Sequence, residues 1–412
     1  MRGMRVWAGL LGVEQAIVED VAFEEATGTL VVSVRLRRRD RQRCGICHRR
    51  SPGYDTGDGR RRWRALDLGT TRAYVEADAP RVRCPAHGVI VAAVPWARHG
   101  AGHTLAFDDT VAWLAVHTSK SAVVALMRLA WRTVGAVVER VVADAEADHD
   151  RLDGLVRIGI DEVSHRKGHR YITVIVDHDS GRLVWAAEGR SEATLEGFFD
   201  ELGEARSAAI ELVSADGAAW IERVVARRCP RATLCMDPFH VVAWATEALD
   251  AVRREVWNAA RREGETALAR DLKGARFALW KNPEHLTERQ GRKLAWIART
   301  NEPLYRAYLL KEELRMVFAL RGAEGRRLLD DWLAWARRCR IPAFVELARK
   351  VARHLPGIEA TLVHGLSNAR VEAANTRIRL LTRVAFGFHS AKALIALAML
   401  GLGGLCPALP GR

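Results

Sequence analysis

The sequence predicts a multidomain α/β protein, and three changes of periodicity carry that prediction. Over residues 1–100, alternating apolar and polar runs such as TLVVSVRLR (29–37) and AYVEADAPRVRC (73–84) are separated by glycine-rich turns such as GYDTGDG (53–59), the pattern of a small β-rich module. Residues 101–147 switch to helical spacing in three segments, FDDTVAWLAVHT, SAVVALMRLA and WRTVGAVVERVVADA, which fit a helix-turn-helix. From residue 157, strand-like runs (RIGID, YITVIVD, RLVWAAE) precede a helix near 192–202 and two strand-and-helix units, giving a mixed sheet within 148–242. An all-helical block over 243–364, broken at Pro283, Pro303, Pro342 and Pro356, interrupts this core, and 365–412 completes it.

At 412 residues and 49% apolar, the chain is long enough for two or more cores. Its net charge of +14 and pI near 10.0 make a polyanion the natural partner. Each neutralised phosphate releases condensed counterions, so nucleic acid leads and an anionic membrane surface trails. Seven cysteines, an odd number, and a start without a charged leader and apolar signal core read as a reduced cytoplasmic protein without disulfides. The apolar run at 393–409 is shorter than a membrane span and is broken by Gly401, Gly403, Gly404 and Pro407, so it reads as a buried terminal helix and tail.

Two ligand pairs stand in the β-rich module, Cys44 with Cys47 (CGIC) and Cys84 with His87 (CPAH). A spacing of two lets both side chains of a pair converge on one ion, and a closed set of four ligands marks structural zinc. The arginine-rich flanks RLRRRDRQR (35–43) and GRRRWRALD (59–67), with Trp63, would offer a phosphate-contacting surface around it. In the helix-turn-helix, WRTVGAVVERVV would be the recognition helix, with Arg132 and Thr133 near its start facing the groove. Cys229, Cys235, Cys339 and Cys406 lack partner spacing and read as packing residues. Trp244, Trp257 and Trp280, at helical spacing, read as core before they read as stacking platforms for an unpaired base.

Three acids each end a strand: Asp161 in RIGID, Asp216 in ELVSAD and Asp237 in TLCMD. Carboxyl ends of neighbouring strands share one rim of a sheet, where such acids can meet. A fourth, Glu372, lies in SNARVEAANTRIR, where Ser367 can cap a helix that carries Asn368, Glu372, Asn375 and Arg379 on one face. Separated hard-oxygen ligands suit magnesium, and two such ions can activate and stabilise the two oxygens of a phosphodiester displacement.

The motifs IGIDEVSHRKGHRYITVIVD, SADGAAW, DPFHVV, SNARVEAANTRIR and AFGFHS, with the N-terminal CGIC, RVRCPAHGV and VPWA, resemble the DDE transposases of bacterial insertion sequences, specifically the ISL-three family. The likeness runs through nearly the whole chain with the motifs in order. It implies an RNase H-like catalytic core with a helical insertion ahead of the glutamate helix. It also implies a triad of Asp161, Asp216 and Glu372 holding two Mg2+ (or Mn2+) ions, with Asp237 and His240 as the Asp-x-x-His element and Asn368 and Asn375 in support. In such a sheet the strand beside that of Asp161 carries the second acid, which selects Asp216 over Asp237. Arg166, Lys167 and Arg170 would then hold the DNA backbone beside Asp161, while Glu162 is either an outer neighbour of the metal or merely solvated. The implied protein is a cytoplasmic, nucleoid-associated enzyme acting as a homodimer or higher oligomer on DNA. It would bind terminal inverted repeats, cut with Mg2+ and join the freed 3′ hydroxyl to target DNA. The alternatives are an inactive DNA-binding regulator and a structure-selective nuclease of the same fold.

Overall fold

The computed structural model describes residues 2–385, 387–388 and 390–411. The chain forms two compact units, 1–151 with 382–412, and 152–381.

In the first unit a short helix α1 (Arg2–Leu10) precedes β1 (Ala16–Glu24), β2 (Thr29–Leu36), β3 (Gly53–Asp55), β4 (Arg60–Arg64), β5 (Arg72–Asp78), β6 (Arg81–Cys84) and β7 (Gly88–Val91). These strands make a four-stranded sheet, ordered β1-β2-β5-β4, and a three-stranded one, β3-β6-β7. The period-two pattern turns Val32, Val34, Ala73, Val75 and Ala77 into one core, which also holds Trp63 and Trp96. Helices α2 (Leu105–His117), α3 (Lys120–Met127) and α4 (Trp131–Asp148) follow. The hydroxyls of Thr104 and Ser119 cap α2 and α3 by accepting from the N–H groups of Phe107 and Ala122. The chain turns through 101° between α3 and α4 across Arg128, Leu129 and Ala130, which is helix-turn-helix geometry. Arg128 takes the left-handed conformation there (φ 52°), and its guanidinium is held by Asp67 and the Thr70 carbonyl. On α4, Val134, Val137, Val138, Val141 and Val142 recur at three- and four-residue steps and are buried. The fully buried Asp108 of α2 accepts from Arg140 of α4 at 2.9 Å. That charge is paired because an unpaired one would be too costly to bury.

The second unit is built on β8 (Arg157–Arg166), β9 (Arg170–Asp177), β10 (Leu183–Glu188), β11 (Leu212–Ala215) and β12 (Thr233–Met236), with α5 (Glu192–Leu202), α6 (Glu204–Ser207) and α7 (Ala219–Arg228) as crossovers. The sheet order is β10-β9-β8-β11-β12; β8 and β10 run antiparallel to β9, and β11 and β12 run parallel to β8. β9 is buried on both faces from Ile172 to Asp177 and β8 from Ile158 to Ile160, and there both read as largely apolar runs. The helical block opens directly after β12 with α8 (Pro238–Arg262), and Pro238 occupies the first turn of that helix. It continues through α9 (Thr266–Lys273), α10 (Arg276–Trp280), α11 (Glu288–Thr300), α12 (Glu302–Val317), α13 (Gly322–Arg338), α14 (Pro342–Arg353) and α15 (Leu355–His364) around its own core. Helix α16 (Ala369–Val384) returns to the sheet. The last helix, α17 (Ala391–Leu402), packs on α2 and α4 of the first unit. Thus residues 382–412 cluster with the helix-turn-helix and not with the sheet. Among the described residues no single helix is long and apolar enough to cross a membrane.

Candidate active site and metal centre

Cys44, Cys47, Cys84 and His87 converge so that their ligand atoms all lie within 4.8 Å of one another. The Sγ atoms of Cys47 and Cys84 are 3.7 Å apart, and His87 Nδ1 lies 3.5 Å from Cys44 Sγ and 3.6 Å from Cys84 Sγ. A tetrahedron with metal–sulfur bonds of about 2.3 Å has edges near 3.7 Å, so the set matches a four-coordinate zinc site. Cys84 and His87 flank the turn that joins β6 to β7, and Cys44 pairs with Ala92 beyond β7. Gly45 permits the approach: a Cβ there would stand 2.5 Å from the Val91 carbonyl oxygen and 2.5 Å from His99 Nδ1. Burial opposes ionisation of the Cys84 thiol, but hydrogen bonds from the backbone of Ala86 and His87 and from the His87 ring outweigh it and hold the pKa at about 6.

The carboxylates collect on the β8–β11–β12 side of the second unit. β8 continues past Asp161 to Arg166, so this acid stands within the strand and not at its tip, contrary to the sequence expectation. The pairing with β11 nevertheless ends at Gly159, leaving that side of β8 open beyond it. The start of α16 fills the opening. Asn368 Nδ2 donates to the Ile160 carbonyl at 3.2 Å, and its Oδ1 accepts from the Ser214 hydroxyl of β11. Its backbone N–H donates to Asp237 Oδ1 at 3.2 Å. His178 Nε2 lies 2.7 Å from the same Ser214 hydroxyl, and burial depresses its pKa to about 4, so the imidazole is neutral. Asn368, not Ser367, holds the cap position, since its carbonyl accepts the Glu372 N–H. Gly159 makes this docking possible: a Cβ would collide with Val371 Cγ2 and stand 2.7 Å from His178 Nε2. We expect Gly159→Ala to displace the start of α16 and cost about 1–3 kcal/mol of stability, the usual effect of overpacking. An unchanged melting temperature and unchanged strand cleavage would show that the helix does not sit this close.

Further along α16, Asn375, 1% exposed, donates from Nδ2 to Asp161 Oδ2 at 2.9 Å, and its Oδ1 has no hydrogen-bond partner among the described residues. Burial pushes the Asp161 carboxyl up to about 6, against the hydrogen bond from the Glu162 N–H; nearby Asp216 adds to the rise and His240 opposes it. Glu162 is pushed up to about 7, first by burial and then by Asp216, although Arg190 pairs with it at 3.1 Å. Glu162 is therefore a buried, paired acid and not a solvated one. Asp216 has one oxygen engaged by the Ala218 N–H at 3.0 Å. Asp237 is 2% exposed, with Asn368 on one oxygen and His240 Nδ1 at 3.0 Å from the other. That hydrogen bond raises the His240 pKa. Among the described residues only the cysteine–histidine set brings its ligand atoms within 4.8 Å of one another; Asp161, Asp216 and Glu372 are not drawn together to that distance.

A transposase family model matches residues 158–398, which include every one of these acids. The chain belongs to the ISL3 transposase family. The model for the helix-turn-helix domain of transposase family ISL3 matches 92–142, and that for the zinc-finger of transposases IS204/IS1001/IS1096/IS1165 matches 40–87, the span of all four zinc-type ligands. Transposases for insertion sequence element IS1557 from two strains of Mycobacterium tuberculosis are 59% identical over 100% of this chain and 98% of theirs. A transposase for IS1001 from Bordetella parapertussis is 32% identical over 65% of this chain and 66% of its own length. This ISL3-family transposase thus carries a zinc finger and a DNA-binding helix-turn-helix ahead of its transposase domain.

Other expected residues divide. On α4 of the ISL3 helix-turn-helix, Arg132 is exposed and Thr133 half-buried. Arg166, Lys167 and Arg170 are exposed on the β8–β9 hairpin, whose turn uses Gly168 (φ 87°) and His169 (φ 57°). Trp63 is no surface residue: it is 2% exposed and packs edge-on against Trp96 at 5.6 Å. The arginines beside it are also engaged, Arg60 and Arg62 with Glu76, Arg61 with the Ala101 carbonyl and Arg64 with Asp67. Neighbouring strands supply acids opposite this run, which the linear sequence hides. Trp244, Trp257 and Trp280 pack against the core of the helical block, and cations cover their rings: Lys350, Arg261 and Arg276 respectively. All seven cysteines are free; Cys229, Cys235 and Cys339 are buried and Cys406 half-buried. In the AFGFHS motif, Phe386 and His389 lie outside the described residues.

Proposed function

We propose that the five-stranded sheet is an RNase H-like core in which Asp161, Asp216 and Glu372 form the catalytic set of a transposase that cuts at the terminal inverted repeats and joins the freed 3′ hydroxyl to target DNA. The hydrogen bond from Asn375 to Asp161 carries this reading, because Asn375 lies one turn beyond Glu372 and ties the glutamate helix to the aspartate strand. Asp216 is favoured over Asp237 as the second ligand. β11 lies directly against β8, and Asp216 keeps an oxygen free where both Asp237 oxygens are engaged.

The donor set suits a divalent cation. Burial and mutual repulsion hold the Asp161 and Glu162 carboxyls above their usual range, and the buried Asn375 oxygen lacks a donor. Bound there, Mg2+ or Mn2+ would lower the pKa of the attacking oxygen and stabilise the leaving one. The chain itself orients Asp161 through Asn375, holds the start of the glutamate helix through Asn368, and sets the His240 ring, whose pKa Asp237 raises, beside the acids. Arg166, Lys167 and Arg170 would grip the backbone of the bound strand, and Arg132 and Thr133 would read the repeat. Zinc in the cysteine–histidine site would be structural, and the active form a homodimer or higher oligomer on DNA.

The test is incubation of the full chain with DNA ending in its element's repeat, with Mg2+ or with EDTA. Joined products with Mg2+ support transposition; nicks without joining indicate a nuclease, and no cleavage a regulator. A second expectation concerns pH. A carboxyl with a raised folded-state pKa loses stability as pH climbs from about 4, its unfolded value, through the folded one. Added Mg2+ should therefore raise the melting temperature most above pH 7 and little at pH 5, where protons occupy Asp161 and Glu162. A shift independent of pH would contradict binding at these acids.

A further inference from the structure

A cavity of about 310 Å3 lies between the first turn of α8 and the start of α16, and its lining includes Asp237, Glu372, Phe239, Phe318 and Arg321. Arg321, just ahead of α13, makes no ion pair among the described residues, although the arginines around it do: Arg315 with Glu284 and Glu312, Arg326 with Asp330 and Glu359. The Arg321 guanidinium lies over Gly365, the left-handed cap of α15 (φ 65°), where a Cβ would stand 3.4 Å from Nη1 and 3.6 Å from Cζ. A guanidinium and two carboxylates thus line one cavity without neutralising each other, and Asp237 is already satisfied by Asn368 and His240.

We propose that Arg321 is a further substrate-positioning residue, which holds the non-bridging oxygens of one DNA phosphate next to the bond that is cut. This rests on the assignment of Glu372 to the catalytic set. The planar fork of a guanidinium matches a phosphate in two parallel hydrogen bonds, which an ammonium cannot reproduce. The cavity, of about 310 Å3, has room for a phosphate group and not for a duplex. Arg321 therefore acts on the strand at the site, and repeat recognition is left to the zinc finger and helix-turn-helix.

The experiment uses the full chain, Mg2+ and repeat-ended DNA in which single phosphates around the cut are replaced in turn by uncharged methylphosphonates. The wild type is expected to lose rate at discrete positions. Arg321→Ala should cleave ordinary DNA about 10- to 100-fold more slowly, the size of a lost charged hydrogen bond, and should be indifferent to methylphosphonate at one of those positions. Arg321→Lys should recover part of the rate, and repeat binding and melting temperature should stay unchanged. Wild-type cleavage by Arg321→Ala, or a methylphosphonate pattern identical to that of the wild type, overturns the proposal. Glu372→Gln, assayed alongside, separates the failures: normal cleavage by that variant removes the site assignment itself, whereas an inactive Glu372→Gln beside a fully active Arg321→Ala removes only the role of Arg321.

Discussion

Alanine at Asp161, Asp216 or Glu372 should lower strand cleavage and joining by roughly a thousandfold or more while repeat binding survives. These side chains would stabilise charge that develops only in the transition state, and the contacts to the repeat would lie in the zinc finger and helix-turn-helix. Folding should survive as well. In Asp161→Ala the lost hydrogen bond to Asn375 is offset by relief of a buried carboxylate whose pKa has been pushed to about 6. Asp237→Ala should keep measurable activity, since its two oxygens serve Asn368, at the start of the glutamate helix, and the His240 ring. Gel assays of cleaved and joined products, with melting curves for each variant, decide the matter. An inactive Asp237→Ala beside a near-normal Asp216→Ala would reassign the second ligand.

Loss of zinc should have the second large effect. The strands around the four ligands are short, and of the ligands only Cys84 lies in one of them: β3 has three residues, and β6 and β7 have four each. Their hairpins cannot bury enough surface to hold the Cys44–Cys47 loop against the Cys84–His87 turn. Zinc binding contributes about 10–16 kcal/mol in small zinc fingers, more than most whole domains have in net stability. The purified chain should contain about one zinc, and Cys84→Ser should lose it, unfold the finger and abolish specific repeat binding, leaving the 152–381 unit folded. Metal analysis of the purified variant checks this directly: undiminished zinc in Cys84→Ser removes that residue from the ligand set. For fragment work, α17 packs on α2 and α4, so a piece ending near residue 147 would expose their apolar faces. Repeat-binding fragments should carry residues 382–412.

The helix-turn-helix, the ligand pairs and the strand runs are legible in the sequence because each depends on neighbours a few residues apart. Capping at Thr104 and Ser119, the valine stripe of α4 and the two-residue gaps of CGIC and CPAH need no knowledge of the rest of the chain. The same holds for the mixed sheet, whose alternating strands and helices admit few topologies. Trp63 and the arginines at 60–64 mislead for the opposite reason. A charge run looks free to contact phosphate until Glu24, Glu76 and Asp67 are known to stand beside it.

The sequence by itself determined the family, the order of the modules and which side chains are candidates for metal and DNA. Only the tertiary structure decided that Asn368 closes the open side of β8, that Gly159 must lack a side chain, that Glu162 is buried against Arg190 and that α17 joins the helix-turn-helix. Each of these joins residues far apart in the chain, more than 200 positions for Asn368 with Ile160 and for Asn375 with Asp161. Local periodicity has no access to such pairs. They arise when buried polar groups must find partners and packed surfaces must fit, conditions that exist only after the chain has collapsed.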